Sequence, residues 1–68
     1  MRKEIEPGSV IVEFVRLGRL VRVSAMDPES LTEVVLQGPA AAGEAALRRA
    51  VLRKLAYVLQ RRPAAGAG

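Results

Sequence analysis

The sequence predicts an α+β domain of three antiparallel strands followed by one amphipathic C-terminal helix, in the order βββα. Residues 10–37 are rich in β-branched side chains and are divided by two turn signals, which is typical of a strand meander. Residues 44–62 consist mainly of Ala, Leu, Arg, Lys, Glu and Gln, the residue types that favour helix. A small-residue junction that contains proline separates the two segments, so the helix follows the sheet in the chain.

The first two predicted strands, residues 10–17 and 20–26, are joined by Gly18 and Arg19. A two-residue connection with glycine first is typical of a type II′ hairpin turn, whose twist matches that of the paired strands. This turn sets the register of the hairpin, in which Leu17 pairs with Leu20, Phe14 with Val23 and Val12 with Ala25.

Side-chain alternation supports this register. Apart from Arg16, one face of the hairpin is apolar and carries Val10, Val12, Phe14, Val21, Val23 and Ala25. The opposite face is mixed and carries Ile11, Glu13, Val15, Leu17, Leu20, Arg22, Ser24 and Met26. One apolar face and one mixed face are what an antiparallel sheet shows when only one side is covered.

A third strand is predicted over residues 31–37, after a turn at residues 27–30. Aspartate followed by proline at the start of that turn favours type I geometry. The four-residue loop predicts two further pairs on the apolar face, Val23 with Val34 and Val21 with Leu36. We expect the strand to end before Gly38 and Pro39, because proline has no N–H to donate to a β ladder.

The predicted helix, residues 44–62, has Glu44 at its start and Arg61 and Arg62 at its end, which suits the helix dipole, and Pro63 stops it. Its apolar side chains form one broad arc of Leu47, Val51, Leu52, Leu55, Ala56, Val58 and Leu59. A helix of this length spans roughly 28 Å, whereas seven-residue strands span about 23 Å. We therefore expect more apolar helix surface than one sheet covers.

The composition argues against catalysis and metal binding. The 68 residues include no cysteine and no histidine, so disulfides, the usual zinc ligands and most nucleophile–base pairs are excluded. We expect no catalytic residue, no cofactor, no metal site and no enzyme activity. No apolar run approaches the ~20 residues that cross a bilayer, so we expect no membrane span and a cytoplasmic location.

We expect the chain to divide into a flexible arm at residues 1–9, a single domain at residues 10–62 and a disordered tail at residues 63–68. A domain this small is marginally stable, and without disulfides or metals it is most readily stabilised by oligomerisation. The leading hypothesis is therefore a non-enzymatic interaction module that forms a homodimer, in one version by a domain swap, and contacts another protein. The predicted dimer interface combines the mixed sheet face with the helix and consists of Ile11, Val15, Leu17, Leu52, Leu55 and Leu59.

The basic charge lies in the second half of the chain. Residues 1–37 carry five basic and six acidic side chains, whereas residues 38–68 carry six basic side chains and one acid, Glu44. Arg48 falls within the apolar arc, so we expect it either to extend its stem to water or to meet an acid. The remaining helix cations form either a solvated face or, in the alternative hypothesis, a nucleic-acid contact surface of Arg49, Arg53, Lys54, Arg61 and Arg62. The shortage of exposed aromatic residues argues against base stacking.

Turn and core motifs over residues 10–60 resemble a family of short bacterial proteins of unknown function, mostly alphaproteobacterial. The similar positions are Val12-Glu13-Phe14-Val15-Arg16, Gly18, Val21, Val23, Asp27-Pro28, Glu33-Val34, Gly38-Pro39 and Arg53-Lys54-Leu55-Ala56-Tyr57-Val58-Leu59. The resemblance implies a β-meander plus helix, including a swapped homodimer as one arrangement, and it implies no activity. The family pattern often has a glycine in the turn after Asp-Pro, and this chain lacks it.

Overall fold

The computed structural model describes residues 1–61. In chain order it contains β1 (Arg2–Ile5), β2 (Ile11–Leu17), β3 (Leu20–Asp27), β4 (Thr32–Pro39), a 3₁₀ turn (Ala40–Ala42) and α1 (Glu44–Arg61). The strands form one antiparallel sheet in the order β1-β2-β3-β4, with α1 packed against β3 and β4. The predicted α+β class with a C-terminal helix is confirmed, but the sheet has four strands and the prediction of three is wrong.

The additional strand, β1, lies in the segment that we expected to be a loose arm. It pairs with β2, and Arg2 and Glu4 lie opposite Phe14 and Val12. A compact turn connects the two strands, in which Glu6 N–H donates to the Val10 carbonyl at 2.7 Å. The sequence did not reveal β1 because three of its four residues are charged, so it has no alternating apolar pattern.

The first hairpin has the predicted register, with Leu17 opposite Leu20 and Phe14 opposite Val23. The second hairpin is offset by two residues from the prediction, and its pairs are Val21 with Gly38, Val23 with Leu36 and Ala25 with Val34. The strand also continues through Pro39 instead of ending at residue 37. Because strand side chains alternate with a period of two, an offset of two residues keeps each side chain on its predicted face.

The chain reaches this register through a loop that differs from the predicted turn. Asp27 pairs with Thr32, and the Asp27 carbonyl accepts a 2.8 Å hydrogen bond from Leu31 N–H. Ser30 Oγ donates to Asp27 Oδ2 at 2.7 Å. Leu31 adopts a φ of 60°, a conformation that usually requires glycine. The loop therefore closes one residue later than the sequence indicated.

The hydrophobic core lies between the predicted apolar sheet face and α1, and its buried members are Val12, Phe14, Val21, Val23, Ala25, Val34, Leu47, Val51 and Leu55. Val10, Leu36, Leu52, Val58 and Leu59 pack partly buried against it. Ala56 lies exposed, so the helix arc that the core uses is narrower than predicted. The expected end of the helix at Pro63 and the expected tail at 63–68 lie outside the described residues. Within residues 1–61, no helix has the length and apolar character needed to cross a bilayer.

Candidate interaction surfaces

The sheet has one face without a covering layer among residues 1–61, which we call the outer face. It is the predicted mixed face, widened on one side by β1 and on the other by β4. Apolar side chains occupy its two ends, and they are Ile5, Ile11 and Met26 at one end and Val15, Leu17 and Leu20 at the other. Ile5 is 65% exposed, and Leu17 and Leu20 are each 45% exposed. Both ends therefore place apolar surface in water.

Charged side chains lie among these apolar residues on the outer face. Glu13, Arg22 and Glu33 belong to β2, β3 and β4 respectively, and together with Ser24 they line a shallow depression on the outer face. Within the described part of the chain, none of the three charged groups forms an ion pair. The outer face therefore carries charges of both signs, without ion pairs among Glu13, Arg22 and Glu33, next to exposed apolar side chains.

The structure divides the predicted dimer residues between two sides of the sheet. Ile11, Val15 and Leu17 lie on the outer face. Leu55 is 3% exposed within the core on the other side of the sheet. Leu52 and Leu59, which pack partly buried against the same core, lie with it. The six predicted residues do not form one surface. Ile5 was not among them, because it lies in the segment that was expected to be an arm.

A group of ion pairs, which we call the N-terminal ion cluster, joins β1 to α1. Arg48 donates from Nε and Nη2 to the two carboxylate oxygens of Glu4, each at 2.9 Å, and its Nε lies 3.6 Å from Glu6. Arg2 donates a hydrogen bond to Glu44 at the start of the helix, and this bond to a carboxylate raises the pKa of the Arg2 guanidinium. Arg48 thus meets an acid, as one of its two predicted arrangements required.

Phe14 lies beneath this cluster and is 4% exposed. The guanidinium carbons of Arg2 and Arg48 lie 4.9 Å and 5.5 Å from the centre of its ring. These distances are within the range of cation–π attraction. The cluster therefore covers Phe14 at one side of the core and links β1 to the first turns of α1 there.

The predicted cations of α1 lie in different environments. Arg49, Arg53, Tyr57 and Arg61 follow one another at intervals of four residues, so they form one line along the helix, which we call the helix ridge. All four are exposed. Lys54 is not part of this line, because it follows Arg53 by one residue and so points roughly 100° around the helix. Its Nζ donates to the Val35 carbonyl on β4 at 2.7 Å. The fifth predicted cation, Arg62, lies outside the described residues.

A family model described as a domain of unknown function, DUF6898, matches residues 7–62. The match spans β2, β3, β4 and α1, and it begins after β1. Neither a search of curated proteins nor a search of solved structures found a match. Because the family model covers most of the chain, this protein belongs to the DUF6898 family.

Proposed function

We propose that this protein is a non-catalytic interaction module that forms a homodimer by packing the outer faces of two sheets together. The observation that supports the proposal is the position of Arg22 and Glu33, two opposite charges without an ion pair among residues 1–61, on the exposed face of the sheet beside apolar side chains. A second copy supplies both the apolar cover and the missing counter-charges.

Two-fold symmetry makes this complementarity possible. In an interface of this type, each contact between two different residues occurs twice. An axis that passes midway between Arg22 and Glu33 brings each of them opposite the other residue in the second copy. The same packing covers exposed apolar side chains of the face, among them Val35 beside the axis and Ile5. Two face-to-face sheets of this kind are a common architecture.

The size of the face predicts a weak dimer. Four strands of about seven residues give a plan area of roughly 440 Å² per copy, at strand spacings of about 4.8 Å and a rise of about 3.3 Å. A standard interface buries about 800 Å² per partner, so this one belongs with weak, transient interfaces. We expect a dissociation constant in the micromolar range or weaker, so the dimer dissociates on dilution.

The helix α1 does not contribute to the proposed interface. The sequence suggested that α1 has surplus apolar surface for a partner, but Leu47, Val51 and Leu55 are buried against the helix's own sheet. The proposed dimer therefore has its two helices on opposite outer surfaces. It needs no exchange of elements between copies.

A charge exchange across the interface tests the proposal. Arg22→Glu or Glu33→Arg alone places like charges opposite each other twice in each dimer, and we expect either change to shift the protein to monomer. The double variant Arg22→Glu/Glu33→Arg restores opposite charges, and we expect the dimer to return. The measurement is solution mass by light scattering over a dilution series at low and high salt.

Glu29→Arg is the matched control, because Glu29 is exposed in the loop before β4 and undergoes the same charge change as Glu33. We expect this control to dimerise like the unmodified protein. If the protein is a monomer at every concentration, self-association is contradicted. The outer face would then be a contact surface for a different protein. A dimer that persists in both single variants would contradict the proposed pairing of Arg22 with Glu33.

A further inference from the structure

The helix ridge lies on the side of the molecule away from the outer face, and its charges are not used by the fold. We propose that the helix ridge of Arg49, Arg53, Tyr57 and Arg61 binds single-stranded nucleic acid, with the arginines on phosphates and Tyr57 against a base. This site is separate from the proposed dimer interface. It depends on no residue of the outer face.

The first support is the distribution of charge. Residues 45–61 contain five cations, and no acidic residue occurs after Glu44. The described acids near the helix are already engaged, since Glu4 and Glu6 pair with Arg48 and Glu44 pairs with Arg2. Arg49 and Arg53 form no ion pair within residues 1–61. The helix ridge is therefore a line of positive charge without nearby neutralisation, which attracts phosphates.

The second support is Tyr57, which is 59% exposed between arginines one helical turn away on either side. The Arg61 guanidinium carbon lies 5.4 Å from the centre of the tyrosine ring. Stacking of a base on an exposed ring is tolerant of sequence and is typical of single-strand binding. The sequence alone argued against base stacking because aromatic residues are scarce, but the fold places its exposed ring in line with the cations.

The same surface is poorly suited to a membrane. A helix that lies in a lipid interface inserts large apolar side chains on one side. The large apolar residues of α1 point into the core, and the residues beside the helix ridge are mainly alanines such as Ala45, Ala46 and Ala56. A duplex is also a poorer ligand than a single strand, because its stacked bases are not accessible to Tyr57.

Fluorescence anisotropy with a labelled oligothymidylate of about 16 nucleotides, within the usual range of single-strand site sizes, tests the proposal. We expect binding at low salt that weakens steeply as salt is raised. In Arg49→Gln/Arg53→Gln we expect weaker binding and a salt slope smaller by about 1.4, because two phosphate contacts are lost. In Tyr57→Leu we expect affinity to fall at least about fivefold with the slope unchanged.

The matched control is Arg16→Gln/Arg19→Gln, which removes the same charge from exposed residues near the β2–β3 turn. We expect it to retain the binding that the helix ridge variants lose. Equal losses in the two double variants would overturn the proposal, because binding would then follow net charge alone. Absence of binding at low salt, or tighter binding of a duplex of the same length, would also overturn it, as would stronger binding to anionic vesicles that requires the same arginines.

Solution mass measured on the same samples separates the two proposals. A monomer that binds the oligonucleotide contradicts only the homodimer. A dimer that does not bind contradicts only the nucleic-acid site. Circular dichroism of each variant verifies that α1 is retained, which we expect because the substituted side chains are exposed.

Discussion

Gly38 on β4 lies directly against Leu47 on α1. A methyl group added to Gly38 would stand 2.6 Å from Leu47 Cδ2, which is too close for two carbon atoms. The missing side chain is therefore what lets the first turn of the helix approach the sheet, and Leu47 fills the space above Gly38 and is 6% exposed. The contact joins the end of the sheet to the start of the helix.

This contact predicts that Gly38→Ala destabilises the fold by about 1–3 kcal/mol, the usual cost of overpacking a core. Urea unfolding followed by circular dichroism measures it. In a Leu47→Ala background the clash is absent, so we expect the same glycine substitution to cost much less there. Equal costs in the two backgrounds would contradict a steric role for Leu47.

At Leu31, in contrast, we expect a substitution to stabilise the fold. Its φ of 60° costs a side-chain-bearing residue about 1–2 kcal/mol, and the side chain is 73% exposed. We expect Leu31→Gly to raise the free energy of unfolding by up to about 1 kcal/mol, since the loss of backbone strain exceeds the entropic cost of glycine. Thermal unfolding measures this change in the free energy of unfolding.

Leu31→Ala is the control for this prediction, because it removes the exposed side chain and keeps the strained backbone. We expect it to change stability by less than about 0.5 kcal/mol. A Leu31→Gly variant that is less stable than the unmodified protein would show that the positive φ carries no cost here.

The pairing of Arg48 with Glu4 predicts a measurable but modest coupling. Both side chains are about one quarter exposed, at 28% and 27%. We expect a double-mutant cycle of Arg48→Ala and Glu4→Ala to give a coupling of roughly 0.5–1 kcal/mol, which decreases in 1 M salt because of screening. Chemical unfolding of the four proteins measures it, and a coupling of zero would mean that the bond does not hold β1.

From the contact of Lys54 with β4 we predict that this residue affects aggregation and not the stability of the fold. Its amine donates to the Val35 carbonyl at the open edge of β4, and charged groups at such edges oppose pairing with other chains. We expect Lys54→Ala to change the free energy of unfolding by less than about 0.5 kcal/mol and to increase the rate of aggregation at high concentration. Arg53→Ala, an exposed cation one residue earlier, is the control and should aggregate at the unmodified rate.

Local patterns in the sequence were sufficient to predict most of the core and most of the secondary-structure elements. Alternation along β2 and β3 identified the buried face, and Gly18 set the register of the first hairpin, because both signals depend only on residues close in the chain. Helical spacing likewise placed Leu47, Val51 and Leu55 on one apolar arc, and all three lie in the core, although Leu55 was predicted to belong to the dimer interface. The resemblance to a family of unknown function over residues 10–60 agrees with the family model that matches residues 7–62.

The strand β1, the register of β4 and the exposure of apolar side chains depend on tertiary contacts. β1 forms because its backbone pairs with β2 and its charges meet Arg48 and Glu44, partners more than forty residues away. The register of β4 depends on Leu31 adopting a conformation that its side chain disfavours. The position of α1 on the sheet decided which apolar residues remain exposed. In each case the deciding contacts join residues that are distant in the chain or override a local preference, so no local pattern contains them.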